Sequence, residues 1–301
     1  MKKEHIDKLL ARLKKEVVSS DETEIDAYEL ERLKNVAFAY QEDDRIISTK
    51  EIVDSIKLGG DEVVYKTGIK QLDDVIGGFT PKQLIILTAS TKSGKTSFCI
   101  ELAIRMKETN ATFFSYEETP EELIRKFLER GEEPPMFYTP KKMTYKSLEW
   151  IESKIIEAHV KYNSKLFFID HLHDILGNLN TARLDSEIGN TVRELKHMAR
   201  RWNVTIVLIA HMRKVMVTEP PSLSDIRDSS FSAQYADTVL VLWRKTSKVG
   251  KDYITTNEVN VSVQANRRTG KTGNIKMVYD DGRFVEKDWS PESLDKTFND
   301  F

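Results

Sequence analysis

The stretch that most constrains this chain is residues 83–97, QLIILTASTKSGKTS. The apolar run from Leu84 to Leu87 ends in a loop of small residues. The loop closes on Gly94-Lys95-Thr96, and a helical pattern begins at once. A strand, a tight loop and a helix start form the setting in which backbone N–H groups cradle phosphate oxygens. The helix N-terminus adds partial positive charge. The phosphate-binding segment is therefore Ala89, Ser90, Thr91, Lys92, Ser93, Gly94, Lys95, Thr96 and Ser97. Within it Lys95 is expected to reach the β- and γ-phosphates of a bound nucleotide, and the Thr96 hydroxyl to hold Mg²⁺. The pattern G-x-x-x-x-G-K-[ST] is met with one departure, Ala89 at the first glycine. A lysine-bearing turn with no ligand would not need strand, loop and helix to fall in place together.

Composition narrows the class but not the partner. In 301 residues, 40% hydrophobic and 31% charged content describe a soluble globular chain. A formal net charge of −2 gives no global basic field, which leaves only a local basic track open. The lone Cys99 can form no internal disulfide, nothing pairs with it as a metal site, and packing is its expected role. No apolar run approaches the ~18 residues of a membrane span. The start, MKKEHIDKLLARLKKE, lacks the apolar core of a signal peptide. An intracellular, cytoplasmic protein is expected.

Residues 2–17 and 24–40 carry apolar residues at helical spacing, and 41–50 reads as a polar linker. The spacing predicts a helical N-terminal arm over 1–60, docking on a neighbouring subunit or lying as a lid on the chain's own body. From 61 to 301 a single α/β domain is expected. Strands at 84–89, 111–116, 166–170, 204–210 and 237–243 alternate with helices at 95–108, 120–130, 145–161 and 186–202. That alternation calls for a mostly parallel central sheet. Met136–Tyr138 reads as one further short strand. β segments at 253–265, 274–279 and 283–286 follow, with turns at Thr269-Gly270 and Asp281-Gly282.

Carboxylates at strand ends form a second constellation. Leu166-Phe167-Phe168-Ile169 ends in Asp170, and an acid at the C-terminal edge of a parallel strand faces the ligand crevice. Asp170 suits a Mg²⁺ contact beside Thr96. The strand at 111–116 runs into Glu117-Glu118, either of which could polarise an attacking water. Glu118 also sits near a helix start, where negative charge is favoured. His211 ends the strand at 204–210, as a γ-phosphate sensor or a structural histidine. Arg213 and Lys214 open a loop suited to nucleic-acid phosphates or to plain solvation. Asn266 to Gly273 is a basic turn, either an ordinary hairpin or a source of transition-state charge for a nucleotide on the next subunit.

Taken in order, these segments resemble the ATPase domain of DnaB-like replicative helicases, which have a RecA-type core. Thr67-Gly68 through Leu72-Asp73 to Gly77-Gly78-Phe79 resembles the family's opening segment. Ala89 is common there at the first glycine position. Phe114-Ser115-Tyr116-Glu117 resembles F-S-L-E, whose Glu is the proposed catalytic base, which favours Glu117 over Glu118. Ile169-Asp170-His171-Leu172 resembles I-D-Y-L. Ala210-His211-Met212 resembles the sensor segment in its phage and mitochondrial form. Leu223 to Arg227 with Ala236-Asp237 resembles LSDLR…ADVV, and Arg268 falls on the arginine finger. The likeness spans about 63–288.

The resemblance implies a RecA-like P-loop NTPase core with C-terminal β segments. It implies a homo-hexameric ring binding ATP and Mg²⁺ between subunits, with Lys95, Glu117, His211 and Arg268 catalytic and Thr96 and Asp170 on the metal. Loops near 176–186 and 213–224 would grip single-stranded DNA, and a primase or loader is an implied partner. Two departures stand out. Asn266 occupies a slot two residues before the finger that is often Lys, and Arg267 beside it could share the role. The N-terminal portion is shorter than the family's usual N-terminal domain. The rivals are a recombinase-type or clock-type ATPase on the same core, and an ATP-switched assembly module that unwinds nothing.

Overall fold

The structure is a computed structural model that describes residues 47–59, 62–89, 93–128, 133–134, 136–143, 147–170, 181–211, 234–249, 252–280 and 282–287. The helices expected at 2–17 and 24–40 lie outside the described residues, as do Ser90–Lys92, Arg213, Lys214 and the segment 223–227. Among the described residues no helix is long and apolar enough to cross a membrane.

Helix α1 (Thr49–Gly59) belongs to the first of two compact units, Met1–Asp61, and none of its residues is buried. It begins inside the stretch read as a linker. The overlooked cue is Ser48 with Glu51: the Glu51 backbone N–H donates to Ser48 Oγ at 3.2 Å, and the Ser48 N–H donates to Glu51 Oε1 at 3.0 Å. That reciprocal pair satisfies two of the N–H groups a helix start leaves open.

The body, from Glu62, is built on one eight-stranded sheet of order β2-β3-β4-β1-β5-β6-β7-β8. Its strands are β1 (Leu84–Ala89), β2 (Thr112–Ser115), β3 (Leu166–Asp170), β4 (Thr205–His211), β5 (Thr238–Val249), β6 (Asp252–Asn266), β7 (Gly273–Asp280) and β8 (Arg283–Glu286). The first five run parallel and the last three continue antiparallel. Every residue of β1 is buried. Leu84 and Ile86 pack into one core with Phe114, Phe167, Ile206 and Val239, whereas Ile85 and Leu87 pack into the other with Phe98, Val207 and Leu240. A strand covered on both faces has no polar alternation to show, which is why these strands read as continuous apolar runs.

Helices α2 (Lys70–Ile76), α3 (Lys95–Arg105) and α4 (Pro120–Leu128) cover one face. Helices α5 (Leu148–Tyr162) and α6 (Thr181–Arg201) cover the other. Their starts follow local chemistry. Thr119 and Glu122 exchange bonds ahead of Pro120, and Ser147 Oγ accepts from the Trp150 N–H.

Several boundaries differ from those read in the sequence. The helix expected to 108 stops at Arg105 and is followed by one 3₁₀ turn, Lys107–Thr109. β2 ends at Ser115, one residue early. Met136–Tyr138 is no strand but a single parallel bridge from Tyr138 to Thr112. Helix α6 starts at Thr181, so the second half of the expected loop 176–186 is helical. β5 continues to Val249, because antiparallel pairing with β6 supports residues that lie past the end of β1.

Strand β8 is tied to α3 by a buried carboxylate. Glu101, 1% exposed, takes Arg105 Nε at 2.7 Å and Arg283 Nε at 2.8 Å. Arg105 in turn donates to the Gly68 and Phe284 carbonyls at 2.8 and 2.9 Å. Phe284 is fully buried and meets Phe98 edge-on, ring centroids 5.2 Å apart. Glu286 closes the same corner by accepting the Gln71 and Lys70 N–H groups at the start of α2, at 2.9 and 3.2 Å. Phe284→Ala is therefore expected to cost about 3–5 kcal/mol of unfolding free energy in a denaturant titration, through lost burial plus the cavity left against Phe98.

Candidate active site

The parallel strands deliver their C-terminal ends side by side. Register pairs Ser115 with Asp170, Asp170 with Ile209, and Ala89 with His211. One edge of the sheet thus carries the residues just after β2, the acid at the end of β3, His211 at the end of β4, and the start of the phosphate loop after β1. Topology makes this neighbourhood, since βαβ crossovers put all these strand ends on one side.

Gly94 precedes α3 with φ 89°, a left-handed conformation open to glycine at little cost. A Cβ there would lie 3.4 Å from the Phe284 ring, so the aromatic that locks β8 also abuts the loop. Lys95 is the first residue of α3 and is buried. Burial lowers its pKa from the ordinary lysine value, and the carboxylates of Asp170 and Glu117 partly offset this. Position at the positive end of a helix adds to the discomfort of the ammonium. An anion delivered to this spot would meet desolvated positive charge together with open backbone N–H groups.

The Thr96 hydroxyl donates to Asp170 Oδ2 at 3.0 Å, and Asp170 is 2% exposed. A hydroxyl and a carboxylate held together at a phosphate loop are hard oxygen donors of the kind Mg²⁺ takes alongside substrate phosphates. Among the described residues no group of three His, Cys, Asp or Glu could hold a metal by itself. The donor set fits a cation that arrives with its nucleotide.

Beyond β2 the chain stays beside β3, the Tyr116 N–H donating to the Asp170 carbonyl at 2.8 Å. Glu117 is exposed and acts on the Lys95 charge, whereas Glu118 is half-buried, its N–H held by Ser115 Oγ at 3.0 Å. Both residues lie in the β2–α4 connection, and the Glu117 charge favours the Lys95 ammonium against the effect of burial. The backbone of His211 lies opposite Ala89 at the same edge.

Arg268 is not part of this cluster. β6 leaves the sheet at Asn266, opposite Thr238, and Thr238 lies beside Ile85 at the start of β1. The β6–β7 turn therefore sits at the N-terminal edge, the length of β1 away from the phosphate loop, roughly 20 Å. There the Arg268 guanidinium pairs with Glu62 at 2.9 Å.

Other contributors are invisible at sequence level. The Asp237 carboxylate accepts the Leu84 N–H at 2.7 Å and the Lys196 ammonium, fixing the start of β1 to α6. Glu101 and Phe284 do the same for α3 and β8. The i, i+4 spacing of Glu101 and Arg105 was readable, but nothing local joins either residue to position 283.

The strand order and the loop after β1 define a RecA-like phosphate-loop domain. The model of the family described as DnaB-like helicase C terminal domain matches residues 65–134 and 132–285, and the chain belongs to that family. A replicative DNA helicase DnaB of Rickettsia conorii is 26% identical over 275 residues, covering 71% of this chain and 55% of that protein. One from Helicobacter pylori is 25% identical over 233 residues, covering 66% and 47%. The chain thus spans about half the length of the curated relatives it matches. Among solved structures, one described as an ATPase domain superposes with TM-score 0.67 at 20% identity, covering 81% of this chain and all of that one. A DnaB-like replicative helicase, described together with its interactions with primase, gives 0.67 at 19% identity, covering 94% and 77%.

The strained ammonium gives a direct test. In the nucleotide-free protein, below its lowered folded pKa, the lysine is charged in both folded and unfolded chains, so the folding penalty is fully present there. It is relieved as pH rises through the lowered folded pKa toward the ordinary lysine value. Lys95→Met is expected to raise the thermal midpoint of the nucleotide-free protein at pH 7. The gain shrinks in that alkaline window, and the Mg·ATP-induced stabilisation of the wild type disappears, all read by calorimetry.

Proposed function

We propose that this chain is an ATP-hydrolysing DNA motor that works as a ring, each site being completed by the next subunit. The observation that carries this reading is the division of the machinery between opposite edges of one sheet. Lys95, Thr96, Asp170 and Glu117 gather at the C-terminal edge, and Arg268 projects from the N-terminal edge. One protomer cannot bring both edges to a single nucleotide, but successive copies arranged head to tail can, and such a contact closes into a ring when the rotation permits.

In this reading the loop from Ala89 to Ser97 wraps the phosphates, and Lys95 neutralises the β- and γ-oxygens. Thr96 and Asp170 would hold Mg²⁺, which would supply positive charge against the charge developing on the phosphate. Glu117 orients the attacking water and accepts its proton. His211, next to the loop, reports the γ-phosphate to the segment that follows β4. Arg268 of a second copy enters from outside and stabilises charge as the terminal bond breaks. The hexamer, the gripping of single-stranded DNA by the segments 176–180 and 213–224, and a primase partner complete the proposal. Support for the partner is the solved relative whose description includes primase.

Turnover with and without single-stranded DNA, together with separation of a forked duplex, tests this. Glu117→Gln is expected to keep ATP binding while losing about 10²-fold or more in turnover. An unchanged rate would remove Glu117 from catalysis, and strand pairing without unwinding would favour a recombination-type ATPase. Arg268→Ala is expected to assemble normally yet lose about 10³-fold in turnover.

A further inference from the structure

The turn that carries Arg268 also contains Asn266 and Arg267, and their side chains take up different duties. Asn266 is 6% exposed. Its Nδ2 donates to the Val75 carbonyl at 3.4 Å and to Thr269 Oγ1 at 2.5 Å, and its Oδ1 accepts the Arg268 backbone N–H at 3.2 Å. Thr269 Oγ1 donates to the same Val75 carbonyl at 2.9 Å and accepts the Lys271 N–H at 3.1 Å. Val75 lies in the last turn of α2, where carbonyls have no helical partner, so the turn docks on a helix end that needs donors.

Arg267 turns the other way. Its N–H donates to the Asp237 carbonyl and its guanidinium to the Gln234 carbonyl. It is spent within its own protomer, beside the Lys196–Asp237 pair. Arg268 alone crosses the helix end. There Gly77 has φ 78°, and a Cβ on it would come within 3.0 Å of Arg268 Nη1, so the absence of a side chain leaves the groove in which the guanidinium lies. Glu62 holds the far side of that guanidinium.

We infer that Asn266 is a positioning residue that clamps the β6–β7 turn to the C-terminal end of α2, so that Arg268, rather than Arg267 beside it, is the guanidinium aimed at the neighbour. The inference rests on the trans-acting role proposed for Arg268. It answers what replaces a lysine at position 266: a buried amide that exchanges a second charge for a fixed aim. Pre-set orientation matters for such a group, because a misplacement of about 1 Å can cost about 10²-fold in rate.

The test uses ATP turnover by the full chain without DNA, in pure variants and in mixed assemblies with Lys95→Met subunits, which bring an intact turn but a dead loop. Asn266→Ala is expected to lower kcat about 100-fold, with KM for ATP and thermal midpoint near wild type. Mixing it with Lys95→Met restores turnover, because the neighbour now supplies a correctly aimed Arg268. Thr269→Val, which removes the same anchor on Val75, shows the same loss and the same rescue, and stands in if Asn266→Ala does not fold. Arg267→Ala turns over like wild type. If the Arg268→Ala mixture recovers and neither the Asn266→Ala nor the Thr269→Val mixture does, the clamp is overturned while the finger stands. A loss in Arg267→Ala that the mixture repairs overturns the assignment of the role to Arg268 over Arg267. If even the Arg268→Ala mixture fails to recover, the trans-acting role itself falls.

Discussion

A lysine ammonium buried at the positive end of a helix is the constraint around which the molecule is arranged. Lys95 holds a position that burial and helix polarity both make unfavourable for charge, and Asp170 and Glu117 relieve it only in part. Keeping it there requires a rigid α3. That rigidity is supplied from both sides of α3: a fully buried strand beneath it, and the Glu101–Arg105–Arg283 and Phe98–Phe284 contacts that press β8 against it. The last strand of the sheet, far away in sequence, thus helps hold the phosphate loop.

The same sheet also keeps apart the two halves of what we propose is one catalytic unit. Its parallel strands collect acids, lysine and histidine at one edge, whereas the antiparallel extension returns the chain to the other edge and leaves Arg268 there. Polar groups at that second edge are engaged in fixing geometry. Asp237 ties β1 to α6, and Asn266 ties the β6–β7 turn to α2. In the proposed ring, a site divided in this way would give a free protomer little chance of futile turnover and make assembly a precondition of chemistry.

Much of the core was legible because short apolar runs ending in chemistry-bearing residues carry their own punctuation. Leu84–Leu87 running into small residues, and Leu166–Ile169 running into Asp170, locate two strand ends without ambiguity. The relative order of the family motifs then orients the rest. What went astray was set by partners out of sight. β5 outruns its apolar stretch because β6 pairs with its polar continuation, and Met136–Tyr138 fails as a strand because only Tyr138 meets β2. The choice between Glu117 and Glu118 rests on resemblance, because Ser115 holds only the Glu118 backbone N–H.

By itself the sequence determined the phosphate loop, the acid that accompanies it, the alternation that forces a parallel sheet, and a basic turn near the end. Each is written in local spacing, and local spacing governs backbone conformation and burial. Only the tertiary structure decided which strand ends are neighbours, that Arg268 lies on the far edge from Lys95, and that of Asn266, Arg267 and Arg268 only the last crosses Gly77. Those outcomes depend on strand order and on hydrogen bonds between residues up to two hundred positions apart, for which a single sequence holds no local sign.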